Sequence, residues 1–218
     1  MKKIVYLITA LAATMMACGG NGKTGSEVEE NGAAEPSSSV YYIEQKTSVT
    51  EEGYAMEMFT KGWFDVENDF SAVEMEYETF FLGDKVAHKG LFLTNHTGSY
   101  SINLIRQTGY KLTAEELDDE DDMMEYYTGD SDEFEQLIVE QGGAVVGHET
   151  ILGKRCTVVE MEEEDDFGDI VTATYWFYKG IPLKMVAGNT KMETLKVDFN
   201  ATAPEGVFDI PEGITIIR

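Results

Sequence analysis

From Val40 onward, apolar and polar residues alternate in short runs with the period of a β-strand. In Phe70–Phe81, the residues Val73, Met75, Tyr77, Thr79 and Phe81 fall on one side. Ala72, Glu74, Glu76, Glu78 and Phe80 fall on the other, which predicts a half-buried strand with an acidic outer face. Tyr54, Met56 and Met58 alternate with Ala55 and Glu57 in the same way. Tyr100, Ile102 and Leu104 repeat the pattern, as do Val171, Ala173, Tyr175 and Phe177. Leu183 with Met185, then Leu195 with Val197 and Phe199, complete the set. Turn-forming groups separate these runs: Glu51-Glu52-Gly53, Gly83-Asp84, Thr97-Gly98, Lys179-Gly180 and Gly188-Asn189. Many strands at short spacing predict an antiparallel meander rather than alternating βα units.

Helical periodicity is confined to the middle of the chain. Thr113 and Glu116 form a capping box ahead of Leu117, but Asp118–Asp122 then presents five consecutive acids. Asp130 with Glu133 caps a better candidate, in which Phe134, Leu137, Ile138 and Gln141 share one face. Gly142-Gly143 would stop it. The prediction is a long sheet interrupted by a charged insertion and one or two short helices.

Ahead of Val40 the pattern is different. Lys2 and Lys3 precede an uncharged stretch, Ile4–Ala17, that ends at Cys18. A basic start, a short apolar run and a small residue before the cut describe a secretory signal, and the run is too short to cross a bilayer as a helix. Met15-Met16-Ala17-Cys18 resembles a bacterial lipobox, with Met15 where Leu is usual. That resemblance implies cleavage before Cys18 and acylation of its sulfur, so that the membrane is reached through an N-terminal lipid anchor. Gly19 after the cysteine implies the outer membrane, with the periplasmic or surface face left open. Gly19–Ser39 is rich in Gly, Ser and Glu, with Val28 its only large apolar residue, and reads as a flexible tether. The expected organisation is a signal over 1–17, a lipidated Cys18 with tether over 18–39, and one β domain over 40–218.

Charge narrows the function classes. The chain has 41 Asp+Glu against 16 Lys+Arg, a net charge of −25, which excludes nucleic-acid binding by charge neutralisation. Hydrophobic residues at 43% rule out an acidic disordered chain. The acidic runs Glu115–Asp122 and Glu160–Asp169 lack the spacing of a calcium loop and read as solvated loops. His88, His96 and His148 are dispersed, without metal-ligand spacing, and read as surface or turn residues. No nucleophile elbow, catalytic constellation or cofactor motif stands out. Ala17–Thr24 fits a relaxed phosphate-loop pattern, but the strand and helix that chemistry needs do not flank it. Cys156, the only other cysteine, reads as a buried small hydrophobe.

Three C-terminal segments carry a family likeness: Gly147–Val158, Thr174–Lys184 and Val207–Gly213. Together they resemble DUF4412-type proteins and the wider group similar to the lipoprotein carriers LolA and LolB. In the third segment, Pro211 reads as the end of a short edge segment. The resemblance implies a mainly-β (α+β) fold: a curved antiparallel sheet, or half-open barrel, with one or two short helices in its concave mouth. In the carriers that cavity receives acyl chains.

Met56, Met58, Met75 and Met185 fall on inward faces beside Tyr77, Tyr175 and Phe177. Soft methionines among aromatics suit an adaptable apolar cavity, although they also make an ordinary core. The expected function is therefore a non-enzymatic envelope binding module whose concave face takes an apolar or lipid ligand. The alternatives are an acidic interaction module docking a cationic envelope protein, and a carboxylate-dependent hydrolase, which would need a paired-acid cleft.

Overall fold

A computed structural model describes residues 39–51, 54–81, 84–113, 131–140, 142–164 and 170–217. Cys18, the tether, the Thr113/Glu116 capping box and the run Glu115–Asp122 lie wholly or partly outside the described residues.

The alternating runs fold into two meanders. The first comprises β1 (Val40–Glu51), β2 (Tyr54–Asp65), β3 (Phe70–Phe81), β4 (Asp84–Asn95), β5 (Gly98–Asn103) and β6 (Thr108–Lys111). After α1 (Ser131–Glu140), the second comprises β7 (Ala144–Ile151), β8 (Lys154–Glu164), β9 (Ile170–Tyr178), β10 (Ile181–Ala187) and β11 (Thr190–Asp198). A short β12 (Thr215–Ile217) ends the fold. The strands form one twelve-stranded sheet in the order β12-β6-β5-β4-β3-β2-β1-β11-β10-β9-β8-β7. Every pairing is antiparallel except β12 on β6, which is parallel. The sheet is curved and open, because its two end strands, β12 and β7, do not pair.

Bulges contribute to the bend. The register slips at Glu44/Gln45 in β1 and at Pro182/Lys184 in β10, and again at Val145/Gly147 in β7. Buried Gln45 ties the first two together: its Nε2 donates to the Pro182 carbonyl at 2.9 Å and to Thr194 Oγ1 at 3.2 Å. Pro182 thus sits inside a strand at a bulge, and the β9–β10 turn is made by Lys179 and Gly180, both left-handed at φ 51° and 81°. The β7–β8 turn uses the same geometry at Leu152 (φ 50°) and Gly153 (φ 76°). A leucine is strained there and its side chain is exposed. Leu152→Asn should therefore raise the unfolding free energy by about 0.5–1 kcal/mol, read as a shift in urea midpoint.

The two faces are covered at opposite ends. On the inner face, α1 lays Phe134 and Ile138 against Val159, Ala173, Tyr175, Phe177, Met185 and Met192 of β8–β11. Phe134, Leu137 and Ile138 thus share the predicted helix face, while Gln141 lies outside the described residues, and Phe134 meets Phe177 with ring centroids 4.8 Å apart. On the outer face, the segment after β11 packs Val207, Phe208, Ile210, Ile214 and Ile216 onto Ala72, Leu91, Leu93, Tyr100 and Ile102 of β3–β5. Asn95 Nδ2 donates to the Phe208 carbonyl at 2.8 Å and holds this cover down. Val207–Gly213 is thus an irregular cover over the outer face, and the edge strand beside β6 is β12. Leu104 likewise lies in the turn after β5.

The remaining outer face is a ladder of both charges rather than a uniformly acidic surface. Glu74, Glu76 and Glu78 are exposed as expected, but Lys89 pairs with Glu74 at 3.3 Å and Lys85 with Glu78 at 2.8 Å. Lys46 pairs with Glu57 across β1 and β2. Exposed pairs of this kind add little stability each, but they fix which side of the sheet faces solvent. The acidic run beginning at Glu160 is half strand, since β8 continues to Glu164.

Candidate functional site

The inner face of β3–β6 lies at the other end of the sheet from β8–β11, over which α1 packs. Its residues follow from the register. At one level Met75, Gly90, Asn103 and Thr108 are successive partners across β3, β4, β5 and β6. At the next level they are Val73, Phe92, Ser101 and Tyr110, with Ile217 of β12 beyond. On the other side, Tyr77 faces His88. Gly90 has no side chain to put in the middle of this surface, and a Cβ there would meet nothing nearer than the Ile102 carbonyl oxygen at 3.6 Å. The result is a cleft of about 280 Å³. Met75, Phe92, Tyr110 and Ile217 supply its apolar walls.

One wall is a stacked pair. The Tyr77 and His88 rings lie 4.6 Å apart and 7° from parallel. Thr79 Oγ1 stands 2.8 Å from His88 Nε2 and fixes the ring's rotation. The opposite rim is the β5–β6 turn. There Asn103 Oδ1 accepts the Arg106 amide at 2.8 Å, and left-handed Gln107 (φ 54°) leads back into β6. Arg106 lines the cleft, and none of the described lining residues is Asp or Glu.

The seven sequence-predicted ligand residues all project from the inner face, but the structure divides them. Met75 and Tyr77 line the cleft. Met56 and Met58 are buried beside them, in a cluster with Val49 and Met75. Tyr175, Phe177 and Met185 lie beneath α1, in a core that Phe134 and Ile138 already fill. His88 is half-buried in a strand and stacked in the cleft, a correction to its reading as a surface or turn residue; His96 and His148 are exposed. Gly90, Phe92, Arg106, Tyr110 and Ile217 are further cleft residues that alternation did not single out. In β4 the pattern is blurred because Leu91 and Leu93 face the outer cover while Phe92 faces inward, so both sides are apolar.

A second polar group lies at α1. Glu135 Oε1 accepts the Thr157 hydroxyl at 3.0 Å and stands 3.1 Å from His148 Nε2. The carboxylate sits between hydroxyl and imidazole, and these bonds fasten the helix to β7 and β8. Cys156 is fully buried, and burial raises its thiol pKa, which keeps it in the unreactive neutral form. Among the described residues, no group of three or more His, Cys, Asp or Glu could hold a metal, and no helix is long and apolar enough to cross a membrane.

No protein-family model matches the chain, and no curated protein does. Among solved structures it is similar to MucB, with a TM-score of 0.44 at 8% identity over 98% of this chain and 66% of that one. It is also similar to the MucA/MucB complex of Pseudomonas aeruginosa, at 0.40 and 8% over 82% of this chain and 58% of that one. A Vibrio parahaemolyticus domain assigned to outer membrane lipoprotein sorting matches at 0.30 and 11%, over 78% and 89%. The chain thus spans less than two thirds of the MucB chains it matches. At these scores the likeness carries no functional argument, and function rests on the chain's own residues.

Proposed function

We propose that this protein is a non-enzymatic outer-membrane lipoprotein, anchored through acylated Cys18 and a tether over residues 19–39, whose inner-face cleft binds one apolar or acyl chain. The observation that carries the reading is the cleft itself: an apolar hollow at Gly90, walled by Met75, Phe92, Tyr110 and Ile217 on the half of the sheet that α1 leaves open. Concave apolar sites with a few polar groups at one end are the usual form of small-ligand sites. Its volume of about 280 Å³ is near the small end of their range, which fits a single chain rather than a whole phospholipid.

The test is equilibrium uptake of a fluorescent fatty acid. Gly90→Val places a β-branched side chain in the cleft at a strand position where a Cβ is sterically tolerated. It is expected to weaken uptake at least tenfold while leaving the urea midpoint within experimental error. Absence of uptake by the wild type, or equal uptake by the variant, would sink the reading. Anchoring is tested separately: metabolic labelling with palmitate should be lost in Cys18→Ser.

A further inference from the structure

The cleft is selected by charge as well as by shape. Among the described residues that line this cleft none is Asp or Glu, while Arg106 is one of them. Among the described residues no carboxylate pairs with the Arg106 guanidinium, although Lys46, Lys85, Lys89 and Lys191 are each paired. Lys89 contributes to the cleft wall, but its ammonium is turned to Glu74 on the outer face. Asn103 uses its Oδ1 to hold the Arg106 amide, which leaves its Nδ2 available as a donor on the same rim. Ser101 and Thr108 add hydroxyls to the lining. The polar rim is therefore rich in donors and carries positive charge, beside a floor made by Met75, Phe92 and Ile217.

From this juxtaposition we infer that the cleft takes an anionic amphiphile, a single-chain aliphatic carboxylate, with its head on Arg106 and Asn103 and its chain on Met75, Phe92 and Ile217. A guanidinium presents a planar fork that matches a carboxylate with two parallel hydrogen bonds. A neutral chain of equal length would leave that fork unmatched. The net charge of the protein opposes the approach of any anion, so selectivity has to come from this local contact, and salt will weaken it. The inference rests on the cleft being the binding site proposed above, and the experiment separates the two.

Octanoate, 1-octanol and octyl phosphate are titrated into the full chain at pH 8 and low salt by isothermal calorimetry, with wild type, Arg106→Gln and Arg106→Lys. Octanoate is expected to bind at least tenfold more tightly than octanol, and this advantage should shrink at 0.3 M salt, an ionic strength at which screening acts within about 6 Å. Arg106→Gln should bring octanoate down to the octanol level without changing octanol, and Arg106→Lys should recover part of the advantage. Equal binding of acid and alcohol by the wild type overturns the head-group assignment and leaves the cleft as an apolar site. So does an Arg106→Gln variant that keeps its preference for octanoate. Octyl phosphate binding tenfold more tightly than octanoate overturns the choice of carboxylate. Failure of all three ligands to bind overturns the cleft reading together with this one.

Discussion

Replacing Phe134 with alanine is expected to cost about 3–5 kcal/mol of stability, the range for deleting a buried aromatic from a core. Phe134 is 1% exposed and is the largest side chain that α1 places on the sheet. Its ring meets Phe177, which in turn stacks on Tyr175 at 5.3 Å, so one truncation unseats a row of three aromatics. The helix has only ten residues, too short to hold itself together in water. Its other fastenings are Ile138 and the Glu135 contacts to Thr157 and His148. A variant that retains these but lacks the ring should show a lower urea midpoint and faster amide exchange through 131–140. A loss under about 1 kcal/mol would mean that the ring does not fasten the helix. Uptake by the cleft is the informative control, because no residue of α1 lines it.

Ending the chain at Thr202 is expected to be more damaging, at about 5 kcal/mol or more. The missing residues supply Val207, Phe208, Ile210, Ile214 and Ile216, each partly buried on the outer face. Their removal would open Leu93 and Ile102, at 0% and 1% exposure, to water. Full burial of one such side chain contributes about 1.5–3 kcal/mol, and these are partial burials, so roughly 1 kcal/mol apiece is the scale. The truncation also takes away β12, leaving β6 as a four-residue edge strand. The expected product binds hydrophobic dyes and loses its cooperative urea transition. A truncated chain with an unchanged midpoint would show that the outer cover is dispensable.

These two covers explain which parts of the fold were legible from the pattern alone. Alternation works where one face is buried and the other solvated, as in Val73–Glu78, whose glutamates are indeed outside. It identified β2, β3, β9 and β10 for that reason, together with the helix face of Phe134 and Ile138. It fails where both faces are apolar. In β4 the outward Leu91 and Leu93 flank the inward Phe92, and nothing local says that residues more than a hundred positions later will cover them.

The ligand residues show the same division. Methionine and aromatic content marked seven inner-face positions, and all seven are inward, because strand period assigns a side chain to a face. Period does not say what lies opposite that face. Phe134 and Ile138 fill the space over Tyr175, Phe177 and Met185, whereas Met75 and Tyr77 remain beside a hollow. The hollow depends on Gly90, whose missing side chain matters only because Met75 and Asn103 flank it across two strand pairings.

By itself, then, the sequence determined the strand-rich class, the inward and outward faces, the short helix and the excess of acid, since each is a local consequence of periodicity, capping and composition. Only the tertiary structure decided that the sheet has an outer cover on one half and an inner one on the other. From that came the half of the inner face that α1 does not cover, and the placement of Arg106 beside an apolar hollow, since strand order and register bring together residues that are far apart in the chain.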